Sequence, residues 1–315
     1  MARARRRGHG PRVDLSVRVG EVALPNPVMT AAGTAGHGDE LGRYLDLGRL
    51  GAVVVKSLSA EPWAGNPPPR VHETPAGMLN SVGLQNPGLP EWRDHELPVL
   101  LDAGARVVVS VWGRSVDEYA QVAALVGRLP PEVVAVEVNL SCPNLSGKSI
   151  FAHDAGASAE VISAVVRAAG RPVWAKLSPN TDRLVEVARS VAGEGADAVT
   201  LTNTLLGMAI DPVTRRPRLG GGGGGLSGPA MHPVAVRAVY DCRAALPTLP
   251  IIGVGGIASG SDAVEMMVAG AHAVQVGTAS FADPRAAARV LDEIETWCAA
   301  QGVDTVSELT GGAHV

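Results

Sequence analysis

Ile251-Ile252-Gly253-Val254-Gly255-Gly256-Ile257 and Ala273-Val274-Gln275-Val276-Gly277-Thr278 decide the fold. Each is a short, mostly apolar and β-branched run that ends in glycine. Continuous runs of this kind, rather than strict alternation, suit strands buried on both faces of a parallel sheet. Glycines at the strand ends let backbone N–H groups converge beside the start of a following helix, which makes an anion site. One glycine-rich loop alone is weak evidence. Two of them, on the last two strands of the chain, match the phosphate site of a (β/α)8 barrel. Reading both as plain tight turns stands second.

Working back from this pair, six further runs read as strands: Val28–Ala32, Ala52–Leu58, Val107–Trp112, Val133–Leu140, Val173–Leu177 and Ala198–Thr202. Ile251–Val254 and Ala273–Val276 are then the seventh and eighth. Helical patterns lie between them at Val116–Arg128, Ala157–Ala169, Asp182–Glu194, Pro233–Ala245 and Ser261–Ala269, and after them at Arg285–Ala299. Ser261 and Asp262 are expected to start their helix as cap and first-turn acid. Eight strand–helix units are the count of an α/β TIM barrel; an open doubly wound sheet is the alternative. With 315 residues, 46% of them hydrophobic, the chain can bury one large core. The pattern predicts one barrel domain over residues 13–315, behind a flexible basic tail at 1–12 that carries Arg3, Arg5, Arg6 and Arg7.

A net charge of −4 offers no electrostatic footprint for nucleic acid. The basic start runs into Pro11-Arg12-Val13-Asp14-Leu15-Ser16, not into the apolar stretch of a signal peptide. No run approaches the ~20 apolar residues of a membrane span, so a cytoplasmic protein without a membrane partner is expected. The three cysteines, Cys142, Cys242 and Cys298, form no CxxC pair. That argues against a disulfide framework, a zinc site or an iron–sulfur cluster held by this chain, and no metal is expected.

Two segments exceed the minimal barrel. Glu61–Pro90 is rich in Pro, Gly and Asn, and long ordered loops in enzymes are usually functional. Leu206–Gly228 contains Gly220 to Gly225 in succession. The glycine run is expected to be a mobile linker, and Leu226-Ser227-Gly228 a loop that approaches a ligand.

In this fold the chemistry sits where strands end. Only three lysines occur, Lys56, Lys148 and Lys176, and two of them fall at the ends of strands two and five. A cation there can offset charge on a reduced cofactor or bind a substrate carboxylate. Burial against a carboxylate is set second, because few acids lie nearby in the pattern. Asn80, Asn139, Asn144 and Asn203 bring amide donors and acceptors that could read a planar, imide-like ring. Cys142, in the loop leaving strand four, is the strongest candidate base. Cys242 and Cys298 fall in helical segments as small apolar residues.

These residues together resemble the dihydroorotate dehydrogenase family over almost the whole chain, from about Leu15 to the last helix. The motifs that carry the resemblance are Asn26-Pro27 with Ala31-Ala32-Gly33, Gly65-Asn66-Pro67 with Pro69-Arg70, and Asn80-Ser81-Val82-Gly83-Leu84-Gln85-Asn86-Pro87-Gly88. Asn139-Leu140-Ser141-Cys142-Pro143-Asn144, Lys176-Leu177-Ser178-Pro179-Asn180 and Gly255-Gly256 with Gly277-Thr278 complete them. The resemblance implies FMN, one per chain, and oxidation of (S)-dihydroorotate to orotate in pyrimidine (UMP) synthesis. It implies that Cys142 takes the C5 proton while hydride leaves C6 for the flavin N5. Lys56, Asn80, Ser81, Val82, Gly83, Leu84, Asn139, Asn144, Asn203 and Thr204 would hold the substrate. Lys56, Ser57, Asn139, Lys176, Thr202, Gly228, Gly255, Gly256, Gly277 and Thr278 would hold the cofactor, Lys176 offsetting negative charge on the ring.

A cysteine base marks the soluble class 1 enzymes, and the wording Gly83 to Gly88 resembles the NAD-linked type 1B catalytic subunit. That type implies a homodimer and a separate electron-transfer subunit carrying FAD and a [2Fe-2S] cluster, which this chain has no residues to bind. Fumarate as acceptor, another pyrimidine as substrate, and a non-enzymatic flavin-binding or electron-transfer subunit are the alternatives. Ala32 stands where the family often has serine, and Ser110 where it often has asparagine, both usual flavin contacts. Leu145–Asp154 is expected to act as a lid over the barrel mouth.

Overall fold

Eight parallel strands form one sheet in the computed structural model, which describes residues 13–141 and 150–314. The expected tail, Cys142, Asn144 and the first part of the expected lid lie outside the described residues. The strands are Val28–Thr30, Val53–Val54, Val107–Val111, Val133–Asn139, Val173–Lys176, Ala198–Leu201, Ile251–Val254 and Ala273–Val276. In sheet order the first pairs with the eighth, the eighth with the seventh, and so on down to the third and second. A parallel bridge between Met29 and Ala52 closes the ring, with Gly51 N donating to Val28 O at 2.8 Å. The architecture is the expected TIM barrel. An antiparallel hairpin, Val17–Val19 with Val22–Leu24, precedes the first strand.

The second strand is shorter than its apolar run. After Val55 the chain lifts away through Lys56-Ser57 and pairs again at Leu58, whose N–H donates to Ser110 O at 2.9 Å. That local departure turns both side chains toward the mouth.

Three of the described α-helices start on a side-chain cap. Ser115 accepts from Glu118 N, and Asp154 from Ala157 N at 2.7 Å. The helix Gly260–Ala269 is capped by Ser259, not by Ser261 as expected. Ser259 and Asp262 form a reciprocal capping box, so Asp262 keeps its first-turn role while the cap lies two residues earlier.

The two extra segments meet in a second, four-stranded antiparallel sheet, in the order Leu205–Gly207, Gly224–Ser227, Gly77–Asn80, Val71–Thr74. This overturns the linker reading of the glycine run. Gly224 and Gly225 are strand residues, and Gly225 pairs with both Leu206 and Asn80. A Cβ on Gly224 would stand 2.4 Å from Asn80 O, and one on Gly225 2.0 Å from Thr204 Oγ1. The glycines are a close approach between backbones, which no periodicity in the sequence announces. Among the described residues no helix is long and apolar enough to cross a membrane, and no His, Cys, Asp or Glu cluster could hold a metal ion.

Candidate active site

The C-terminal strand ends and the second sheet enclose a cavity of about 880 Å³. Every described candidate from the sequence lines it. From strand two and the loop beyond come Lys56, Ser57, Asn80, Ser81, Val82, Gly83 and Leu84. Strands four to six contribute Asn139, Lys176, Thr202, Asn203 and Thr204. Gly228, Gly255, Gly256, Gly277 and Thr278 complete the far end.

The asparagines are held by one another and by the barrel. Asn203 Nδ2 donates to Asn139 Oδ1 at 3.1 Å, and Asn139 Nδ2 donates to Ser57 Oγ at 3.3 Å. Tyr119 OH donates to the Asn139 carbonyl at 2.6 Å. Asn80 Nδ2 donates to Gly225 O at 3.2 Å. Ala32 lines the cavity, but Ser110 does not. Ser110 is fully buried and its hydroxyl lies 2.8 Å from that of Ser57, so it braces Ser57 and is no direct contact for a ligand there.

The glycine end has the shape of an anion cradle. Gly255 and Gly256 have φ of +142° and +68°. A Cβ would come within 2.7 Å of Ala235 Cβ on the first and of His232 Cβ on the second. Both glycines are therefore packed onto the N-terminal turn of the helix His232–Ala245, with backbone facing the cavity. Thr278 Oγ1 donates to Ser227 Oγ at 2.8 Å. The Thr202 hydroxyl, 2% exposed, has no hydrogen-bond partner among the described residues and sits in the cavity wall. A buried, unsatisfied hydroxyl beside a glycine cradle fits a bound polar group, and the cavity has room for a planar ring system with a phosphate tail.

Both lysines reach the cavity as expected, but one of them differs in its partner. Lys176 is paired with a carboxylate after all: Nζ lies 3.3 Å from Glu137 Oε1 at the bottom of the cavity. Glu137 sits mid-strand with its side chain inside the barrel, which the continuous apolar run around it concealed. Lys56 stands near His37, whose pKa burial and then the Lys56 charge hold down to about 4. His37 is consequently neutral at physiological pH.

Several lining residues escaped the sequence reading. Trp63, Trp112 and Arg114 form one wall. Asn180 ties the end of strand five to the second sheet, donating to Thr204 O at 2.9 Å and accepting from Leu206 N at 2.8 Å. Trp112 could have been found, since it ends a predicted barrel strand. Trp63 and Asn66 are brought in by loop folding alone.

A sequence model of the family described as dihydroorotate dehydrogenase matches residues 14–297. The chain belongs to the dihydroorotate dehydrogenase family. A protein of Geotalea daltonii named dihydroorotate dehydrogenase B (NAD(+)), catalytic subunit, is 48% identical over 303 residues, covering 96% of this chain and 99% of that one. Proteins with the same name from Geobacter sp. (49% over 305 residues, 96% and 99%) and Desulforudis audaxviator (48% over 306 residues, 96% and 98%) are similar to the same extent. Those names agree with the type 1B resemblance of the Gly83–Gly88 motif. In this member of the family, the second sheet is what roofs the strand ends and turns an open barrel mouth into a cavity.

Proposed function

We propose that this chain oxidises (S)-dihydroorotate to orotate with FMN, as the catalytic subunit of an NAD-linked dihydroorotate dehydrogenase in pyrimidine synthesis. The observation that carries the reading is the convergence, in one cavity, of the Asn139–Asn203 amide pair, Lys56 and the glycine cradle. The amide pair faces donors and acceptors toward a ring bearing an imide, and its orientation is preset by Ser57 and Tyr119. Lys56 supplies the cation for the substrate carboxylate. Asn80, Thr204 and the turn Ser81–Leu84 close around the same ring.

Gly228, Gly255, Gly256, Gly277 and Thr278 would hold the FMN phosphate, with Ser57, Asn139, Lys176 and Thr202 along the ring. When bound, FMN supplies the two-electron acceptor for the hydride from C6. Cys142 would remove the C5 proton, an assignment that rests on its place after strand four, and Asn144 joins the substrate contacts on the same ground. The relatives' names support a partner subunit. We assign the FAD and [2Fe-2S] cofactors to it, and expect a homodimer of this chain in the cytoplasm.

The test is to add dihydroorotate anaerobically to the purified protein and follow flavin absorbance. Rapid bleaching is expected. A yellow protein that does not bleach would move the substrate elsewhere, and a colourless protein that cannot be reconstituted with FMN would overturn the cofactor assignment.

A further inference from the structure

Three polar side chains form a closed hydrogen-bonded ring inside the barrel at the floor of the cavity, and a fourth, Thr200, donates into it. Glu137 from strand four is fully buried, and Lys176 from strand five is 5% exposed. Lys176 Nζ donates to Glu137 Oε1 at 3.3 Å and to Gln275 Oε1 at 3.4 Å. Gln275 Nε2 donates to Glu137 Oε2 at 2.6 Å, and Thr200 Oγ1 donates to the same oxygen at 3.1 Å. Both carboxylate oxygens are thus satisfied, and Gln275 uses both ends of its amide. Two of the three ammonium N–H groups point into the ring, which leaves one for the cavity that Lys176 lines.

A buried charge pair of this kind is a poor device for stability, because desolvation consumes most of the attraction. An apolar filling would pack the barrel interior equally well. The ring does two other things. It allows the Lys176 side chain one position, and it places a compensating negative charge below the positive one.

We propose that Glu137 is a positioning residue that anchors Lys176 and, as its counter-charge, sets the redox poise of a flavin held in the cavity that Lys176 lines. This rests on the proposed FMN chemistry. The floor of the cavity carries no net charge with both residues present, one positive charge with Glu137→Gln, one negative charge with Lys176→Met, and none in the double variant. Positive charge at the cavity floor would favour the reduced, more negative flavin. In a low-dielectric barrel interior one unit of charge acts strongly over a few ångströms.

The experiment measures the two-electron midpoint potential of each FMN-loaded protein against a reference dye, together with FMN affinity. The expected order is Glu137→Gln highest, wild type and double variant alike, and Lys176→Met lowest. Each single step should change the oxidised-to-reduced ratio at fixed poise about tenfold or more, which is about 30 mV for a two-electron couple. A Glu137→Gln potential equal to or below wild type would overturn the proposal, because a merely structural role leaves the potential unmoved. Should the lone unpaired lysine prevent Glu137→Gln from folding, the double variant against Lys176→Met decides: a higher potential in the double supports the proposal, and equal potentials overturn it. Failure of the wild-type protein to bind FMN would instead remove the functional reading beneath it.

Discussion

The rings of Trp63 and Trp112 meet edge to face, with centroids 5.6 Å apart and planes at 72°. Trp63 lies in the loop after strand two and Trp112 at the end of strand three. The Arg114 guanidinium sits 4.8 Å above the Trp63 ring, and Trp63 Nε1 donates to Gly83 O at 3.1 Å. One tryptophan therefore ties the turn Ser81–Leu84 to the barrel. Trp63→Ala is expected to weaken orotate binding about 3- to 10-fold, the size of one aromatic pair, while FMN affinity holds. Titration of orotate against flavin absorbance checks it, and an unchanged affinity would remove the tether.

Lys56→Ala should weaken orotate more strongly, by about 2–3 kcal/mol or roughly 30- to 150-fold, as expected for a carboxylate deprived of its cation in a closed site. The same variant should raise the His37 pKa from about 4, since Lys56 is one of the charges that depress it. Histidine chemical shifts followed against pH read this second effect even if orotate binding is lost.

Gly224→Ala and Gly193→Ala are expected to move stability in opposite directions. At Gly224 the new Cβ would meet Asn80 O at 2.4 Å and a Leu219 side-chain carbon at 2.7 Å. Overpacking of this kind costs about 1–3 kcal/mol. At Gly193, in the last turn of Leu184–Gly193, nothing lies within 4 Å of an added Cβ, so alanine should gain about 0.5–1 kcal/mol. Thermal melts of the two variants compare them directly.

Acid should destabilise the fold through two histidines. Burial holds both His37 and His272 down to about 4, helped by Lys56 for the first and Arg243 for the second. Between about pH 6.5 and 4 the unfolded chain binds protons that the folded one refuses, so stability falls as pH falls through that window. The loss should be roughly 1–2 kcal/mol per histidine once partial exposure is allowed for. His272→Gln should flatten the dependence of Tm on pH, and an identical slope would assign the loss to other groups.

Alkylation of the native protein with iodoacetamide should leave Cys242 and Cys298 unmodified. Burial pushes the Cys242 thiol up to about 12 and raises that of Cys298 as well, and the thiolate is the reactive form. Any native label should then map to Cys142, and orotate should slow it. Cys142→Ser should keep FMN yet slow flavin reduction by dihydroorotate severely near neutral pH, because a hydroxyl is a far weaker base. Wild-type reduction rates in that variant would sink the assignment.

The seventh and eighth strands were legible residue for residue, since an apolar run ended by glycine is a local signal. The cap at Ser259 was legible too: Asp262 stands three residues after it, the spacing of a capping box, whereas Ser261 has Val264 there. The strand-end residues were legible for a related reason: once a barrel is inferred, every strand must deliver its last side chains to the same rim. Lys56, Asn139 and Thr278 could therefore be grouped without knowing a single distance.

Pairings between distant segments were not legible in this way. The stretch that separates Glu137 from Lys176, 39 positions further on, carries no periodicity that forecasts their contact, and an acid inside an apolar strand looks exceptional until its partners surround it. The glycine run read as a linker because its role, admitting the backbone of Asn80 and the side chain of Thr204, lies in other parts of the chain. Strand identity and register toward the rim follow from local patterns of burial and turn chemistry. The roof over the cavity and the ring beneath it depend on which backbones meet, and that is settled by closure of the barrel and the packing it permits.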